Sequence, residues 1–314
     1  LAGDEHPVIP VICGPTAAGK SLIALWLAAR FPITIISADS RQIYRGFDAG
    51  TAKATAEERA AVPHRGIDVV APTERYSAAA WADDADRWID EAVASDRVPV
   101  VVGGTGFYMR ALFEPLFDEP VLDEERRGAL QRFLSPVPLS ELTRWTRALD
   151  PDRAHLGRTQ LLRAIEVALL TGRRVSTLHR ERARAPRRRA RYLVVDPGAA
   201  LGHRIADRLD SMIAGGWVEE VRRLTREVPA EAPAWKATGY RSMRDYVRGA
   251  IDRAGAREAI LIETRQYAKR QRTWFRHQLD EQLVTRLDPG DMRWRSVVDA
   301  WWRDVTVRPE ARQA

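Results

Sequence analysis

The sequence predicts an α/β protein: a parallel-sheet core carrying a phosphate-binding loop (P-loop), with an all-helical domain inserted into it. A glycine-rich turn lies between a β-branched run and an amphipathic helix. The same strand and helix alternation then repeats, until about Pro120 it gives way to arginine-rich helical stretches.

Val8 to Cys13 is an uninterrupted apolar run of buried-strand length, and Ser21 to Phe31 repeats its apolar residues at helical spacing. Ile33 to Ile36 is a second strand, ending in Ser37-Ala38-Asp39-Ser40. Ser77 to Ala94 is helical, and Val98 to Val102 is a third strand running into Gly103-Gly104-Thr105-Gly106. In such sheets ligands gather where strand C-termini meet helix N-termini. Glu124 to Leu134, Leu139 to Ala148 and Thr159 to Leu170 are predicted helices, with no convincing strand among them. Tyr192 to Val195 returns the chain to the sheet, and a final long basic helix spans about Arg257 to Leu279. The core is thus expected at 1–118 and 191–314 and the insertion at 119–190. The run Arg180 to Arg191, RERARAPRRRAR, reads as a solvated linker or as a phosphate contact.

Fifty basic against 43 acidic residues give a net charge of +7, which makes nucleic acid the first partner to test. No apolar run reaches the roughly 18 residues of a membrane span. The N-terminus lacks the succession of a signal peptide, so a cytoplasmic protein without membrane association is expected. The single cysteine, Cys13, reads as a small core residue, and the six histidines show no metal-ligand spacing.

Gly14-Pro15-Thr16-Ala17-Ala18-Gly19-Lys20-Ser21 fits G-x-x-x-x-G-K-S in the strand-to-helix context that this motif requires. Its amides and the helix N-terminus face phosphate oxygens, Lys20 adds a full charge, and Ser21 offers a hydroxyl to Mg²⁺. The strand Val98 to Val102 carries no carboxylate, which argues against a nucleotide-driven motor. Asp39, at a strand end opening on the cleft, would orient Mg²⁺ or take a proton, or would simply cap the turn with Ser37 and Ser40. Thr105 either donates to a phosphate oxygen or belongs to a plain glycine turn. Thr264 to Arg276, TRQYAKRQRTWFR, interleaves cations with aromatics, as a surface for unpaired RNA bases or as an amphipathic core helix with a basic outer face.

Together with further blocks in order, these motifs resemble the tRNA dimethylallyltransferases, also called isopentenyltransferases. The blocks are ISADSRQIYRGFDAGTAKAT at 36–55, PHRGIDV at 63–69, VVGGTGFYMRAL at 101–112, RAIEV at 163–167 and GWVEEVRRL at 216–224. The resemblance spans almost the whole chain. It implies transfer of a dimethylallyl group from dimethylallyl diphosphate to N6 of adenine 37 in the anticodon loop of tRNA, with release of pyrophosphate, Mg²⁺ as cofactor and action as a monomer. Carried over by position, residues 14–21 hold the diphosphate or a nucleotide, Asp39 is the general base, Thr105 contacts substrate, and Arg222 grips the leaving pyrophosphate. Asp39, Ser40, Arg41, Gln42, Thr105, Arg127, Gln160 and Arg163 would touch tRNA. The chain departs from the family at Leu156-Gly157 and Gln160, where an Asn-Asp pair and then an arginine are usual. A P-loop kinase of a small metabolite or nucleotide is the alternative, although it leaves the basic aromatic stretch without a use. An RNA-binding protein whose loop only senses nucleotide leaves Asp39 and Thr105 without a chemical role.

Overall fold

The computed structural model describes residues 7–114, 120, 122–181 and 188–306. The first half of the core runs β1 (Val8–Cys13), α1 (Lys20–Ala28), β2 (Ile33–Ala38), α2 (Ala56–Ala61), β3 (His64–Arg65), α3 (Ala78–Ala94), β4 (Val98–Gly103) and α4 (Gly106–Phe113). The helical unit contributes α5 (Glu124–Leu134), α6 (Leu139–Leu149), α7 (Arg158–Thr171) and α8 (Val175–Glu181). The core resumes with β5 (Arg189–Val195), α9 (Leu201–Met212), a π-helical turn at Ile213–Trp217, α10 (Val218–Glu227), α11 (Tyr240–Val247), α12 (Arg253–His277), β6 (Val284–Leu287) and α13 (Trp294–Thr306).

The strands form one sheet of order β3-β2-β4-β1-β5-β6, with every neighbouring pair parallel. A parallel sheet covered on both faces needs strands apolar on both sides, which is why β1, β2 and β4 read as continuous hydrophobic runs. Strand alternation sends Ile12, Ile33, Ile35, Val100, Val102 and Leu193 into one core layer with Ile23 and Leu27 of α1 and Trp294, Val298 and Trp301 of α13. Helix α3 packs against β2, β4 and α4. Its buried stripe is Trp81, Ala85, Trp88, Ile89 and Ala92, and the Ser77 side chain caps its start by accepting from the Ala80 amide.

The chain divides into two compact units, Leu1–Phe113 with Arg187–Ala314, and Glu114–Pro186. Among its described residues the second is wholly helical and closes on Leu134, Leu142, Leu161 and Ile165. Buried Asp150 accepts from both the amide and the hydroxyl of Ser176 at 3.0 and 2.5 Å, which fixes α8 to the end of α6.

Two expectations change. The long basic helix is not the last element, because β6 extends the sheet edge and α13 covers one face. In the run Arg180 to Arg191, residues 182–187 lie outside the described residues. Arg188, however, is neither solvated nor free for phosphate: it is buried against α3, its Nε and Nη2 donating to Asp86 and Asp90 at 2.6 and 2.7 Å. Arg191 donates to the Gln282 carbonyl at 2.6 Å.

Candidate active site

The end of β1 turns sharply at Gly14 (φ 144°), where a Cβ would stand 2.1 Å from the Val195 carbonyl oxygen of β5. Only glycine lets the chain pass there. The Lys20 ammonium reaches back over the loop and donates to the carbonyls of Gly14 and Pro15 at 3.0 and 2.7 Å.

The Thr16 amide donates to Gln271 Oε1 at 2.8 Å, while Gln271 Nε2 donates to the Gly104 carbonyl at the same distance. One buried side chain of α12 thereby ties the phosphate loop to the glycine turn after β4. The Thr16 amide is taken up by this contact, which leaves phosphate contacts to the amides farther along the loop.

Asp39 stands just beyond β2, where its Oδ1 accepts from the Arg41 amide at 2.8 Å. The turn-capping role is therefore real, and it occupies one oxygen only. Thr105 does not line the cavity. Its amide donates to the Ala38 carbonyl at 3.0 Å and its hydroxyl accepts from the Ser40 amide at 3.0 Å, so it latches the end of β2 on both sides of Asp39. Gln42 lines the cavity, but its amide group is engaged: Nε2 donates to the carbonyls of Thr51 and Ala52, and Oε1 accepts from Ser37 Oγ.

The phosphate loop opens on a cavity of about 590 Å³ lined by Lys20, Ser21, Asp39, Arg204, Asp207 and Arg208, among others. A smaller chamber of about 70 Å³ lies beside it. The two share Thr16, Ala17, Asp39, Arg208 and Tyr267. Arg222 is elsewhere. It sits on α10, its side chain 55% exposed and paired with Glu219 at 3.3 Å, and it lines neither chamber. The cavity arginines come from α9, one helix earlier. Arg208 donates to Thr16 Oγ1 at 3.1 Å and, at 3.4 Å, to the Thr51 carbonyl. No described carboxylate forms an ion pair with it. A pair of arginines one helical turn apart, on the helix that follows a strand end, was the signal available in the sequence.

Burial, and then the charge of Arg208, lower the Lys20 pKa to about 8, while Asp39 pulls the other way. Burial together with the Asp39 charge pushes the Tyr267 phenol up to about 12. Burial also raises the Cys13 thiol, which suits its place in the core. Lys20 supplies a test of anion binding. A bound diphosphate favours the charged ammonium, so above about pH 8 binding must take up a proton and affinity must weaken as pH rises. Calorimetry of pyrophosphate binding at pH 8.5, in buffers of differing ionisation enthalpy, should show more proton uptake by the wild type than by Lys20→Met, whose heats carry the ligand's own titration alone. Equal proton uptake by the two proteins would remove Lys20 from the anion site.

In the helical unit, Arg127 and Arg163 both meet Oε2 of buried Glu166, at 3.3 and 3.4 Å, and Gln131 donates to its Oε1 at 2.8 Å. Gln160 is exposed in the first turn of α7. On α12 the basic aromatic stretch has an inward face and an exposed cationic face. Tyr267 and Gln271 face the cavity, Ala268 and Phe275 are buried, and Trp274 lies where a Cβ on Gly106 would be. Arg265, Lys269, Arg270 and Arg276 remain exposed.

Residues 42–278 match the family described as IPP transferase. The tRNA dimethylallyltransferase of Paraburkholderia xenovorans is 39% identical over 293 residues, which cover 90% of this chain and 93% of that protein. The enzyme of the same name from Deinococcus radiodurans is 38% identical, covering 88% and 92%. Among solved structures, the full-length tRNA isopentenylpyrophosphate transferase of Bacillus halodurans is similar, with a TM-score of 0.66 and 31% identity over 94% of this chain and 95% of that one. A eukaryotic dimethylallyltransferase acting on tRNA shares the fold with a TM-score of 0.76 at 24% identity, covering 98% of this chain and 78% of that one.

Proposed function

Because this chain belongs to the IPP transferase family and is a tRNA dimethylallyltransferase, we propose that residues 17–21, Arg204 and Arg208 hold the diphosphate of dimethylallyl diphosphate while Asp39 faces the acceptor, N6 of adenine 37 in the anticodon loop. Arg208 carries this reading. It is a half-buried guanidinium that forms no ion pair with a described carboxylate, set against the phosphate loop with the Asp39 charge nearby. A cation partly withdrawn from water without an ion-pair partner is costly, and a bound anion offsets that cost.

In the reaction the bond from C1 to the diphosphate oxygen breaks, N6 bonds to C1, the N6 proton passes to Asp39, and pyrophosphate leaves. Charge grows on the leaving group as it departs, so the loop amides, Lys20 and Arg208 hold the transition state more tightly than the ground state. Proton removal by a positioned carboxylate contributes ~10² to 10⁴-fold. Thr105 and the Arg41 amide keep that carboxylate in place.

Among the described residues no group of three or more metal-ligating side chains occurs. The Ser21 hydroxyl and the carboxylates of Asp39 and Asp207 line the same cavity, and this suits Mg²⁺, which binds through one or two protein oxygens, substrate phosphates and water. Bound there, it would neutralise part of the diphosphate charge.

The acceptor adenine has to leave its stack, and an anticodon loop permits this more cheaply than a duplex. The exposed cations of α12, with Arg127, Gln160 and Arg163 of the helical unit, supply the contacts to tRNA. Affinity for tRNA should therefore fall by on the order of 10²-fold or more between about 50 and 200 mM salt, and an Arg270→Ala, Lys269→Ala variant should show a shallower slope in filter binding. A flat dependence would remove the electrostatic part of this reading. No helix among the described residues is long and apolar enough to cross a membrane. One chain supplies the loop, Asp39 and Arg208, so the proposed site needs no residue from a second subunit, and action on tRNA suits a monomer working in the cytoplasm.

The direct test incubates tRNA with protein, dimethylallyl diphosphate and Mg²⁺ and analyses its nucleosides by mass spectrometry. One C5H8 unit gained by adenosine 37 is expected. A gain at another nucleoside, or none, would overturn the assignment.

A further inference from the structure

We propose that the smaller chamber measures the donor's hydrocarbon, with Trp217 as the wall that admits one isoprene unit and turns away two. The inference rests on the diphosphate reading above. The chamber starts at Thr16, Ala17, Asp39 and Arg208, where diphosphate and acceptor would meet, and continues between apolar side chains of α9 and α12, namely Ile205, Leu209, Met212 and Ile260. An allylic chain anchored by its diphosphate has this apolar path beside it.

Trp217 ends the π-helical turn, lines the chamber and is fully buried. Its ring is immobilised from behind. A Cβ on Gly50 would stand 2.1 Å from Trp217 Nε1, and one on Gly239 would stand 2.7 Å from its Cη2. Tyr240 meets the ring edge-on at 5.3 Å and is itself held by a hydrogen bond from its hydroxyl to Glu220 Oε1 at 2.6 Å. Glu220 Oε2 in turn accepts from the amides of Asp48 and Ala49, which fixes the segment carrying Gly50. The ring has no room to swing away from a longer chain.

The volume agrees with a short chain. A cavity of about 150 Å³ holds one benzene ring, so the chamber's roughly 70 Å³ matches the branched end of a single isoprene unit and is too small for a second one. Discrimination of this kind, by collision with a fixed wall, is steeper than the ~10 to 200-fold that a methylene difference gives in a merely apolar pocket.

The test compares kcat/KM for dimethylallyl and geranyl diphosphates in the wild type, Trp217→Leu and Met212→Ala, with inhibition by inorganic pyrophosphate measured in all three. Wild type should use the geranyl donor more than ~200-fold less well, beyond what a merely apolar pocket gives. Either variant should narrow that ratio by ~10-fold or more, with pyrophosphate inhibition unchanged. Met212 is only half-buried, so its substitution decides the matter if Trp217→Leu does not fold. A ratio unmoved in a folded variant that pyrophosphate still inhibits would overturn the chamber's role, as would equal use of both donors by wild type. Failure of pyrophosphate to compete with the donor in wild type would overturn the diphosphate reading, and this inference with it.

Discussion

Asp39→Asn should lower the single-turnover rate of prenyl transfer by ~10² or more at saturating tRNA and donor, with folding and tRNA affinity nearly unchanged. The structure makes this substitution unusually clean. The Arg41 amide donates to Asp39 Oδ1, and an asparagine carbonyl can accept the same bond, so the turn survives while the basic carboxylate is lost. One side effect has a known direction. Asp39 favours the charged form of Lys20, so its neutralisation weakens that ammonium, and the comparison belongs near pH 7 with donor saturating. A variant retaining most of its rate would show that Asp39 only caps the turn, leaving the base unidentified and the phosphate loop untouched.

Arg208→Ala should cost ~10² to 10³ in kcat/KM for the donor, the loss that follows removal of one preorganised partner of a developing anion. Arg222→Ala should change the same quantity less than about threefold, since exposed ion pairs contribute little. Lys20 does not confound the result: Arg208 depresses the Lys20 pKa, so its removal strengthens the remaining cation. Arg208→Lys should recover only part of the loss, because an ammonium keeps the charge but not the planar fork that donates to Thr16 and has further donors for the proposed diphosphate. The opposite ranking of Arg208 and Arg222 would return the pyrophosphate to α10.

What could be read from sequence was whatever local chemistry dictates. The β1, phosphate-loop and α1 unit, the burial of β2 and β4, and the position of Asp39 at a strand end all follow from short-range patterns. What escaped it depended on packing across long separations. Arginines crowd residues 204 to 226, and only the direction of α9 after β5 shows which of them face the strand ends. Gln271 was hidden in a cation-rich stretch, although it stands one turn from Tyr267 on the same inward face. Thr105 lay in a glycine turn that reads equally well as a ligand contact, and its bonds to Ala38 and Ser40 appear only once β2 and β4 pair. Arg188 is one of several arginines in a row and differs from its neighbours only because two carboxylates of α3 await it. The strand β6 is four residues long and half exposed at a sheet edge, too short for alternation to register.

The bond between Thr16 and Gln271 joins residues 255 apart in the chain. On a ribosome adding about 5 to 20 residues per second, the phosphate loop is therefore made on the order of 10 to 50 s before the side chain that locks it exists. Strand β1 also lacks β5, its neighbour on one side, for most of that interval. During synthesis, then, the nascent chain holds a glycine-rich loop whose long-range tie is not yet made. The Thr16 amide and the Gly104 carbonyl, which Gln271 joins in the finished protein, lack that shared partner until α12 is made.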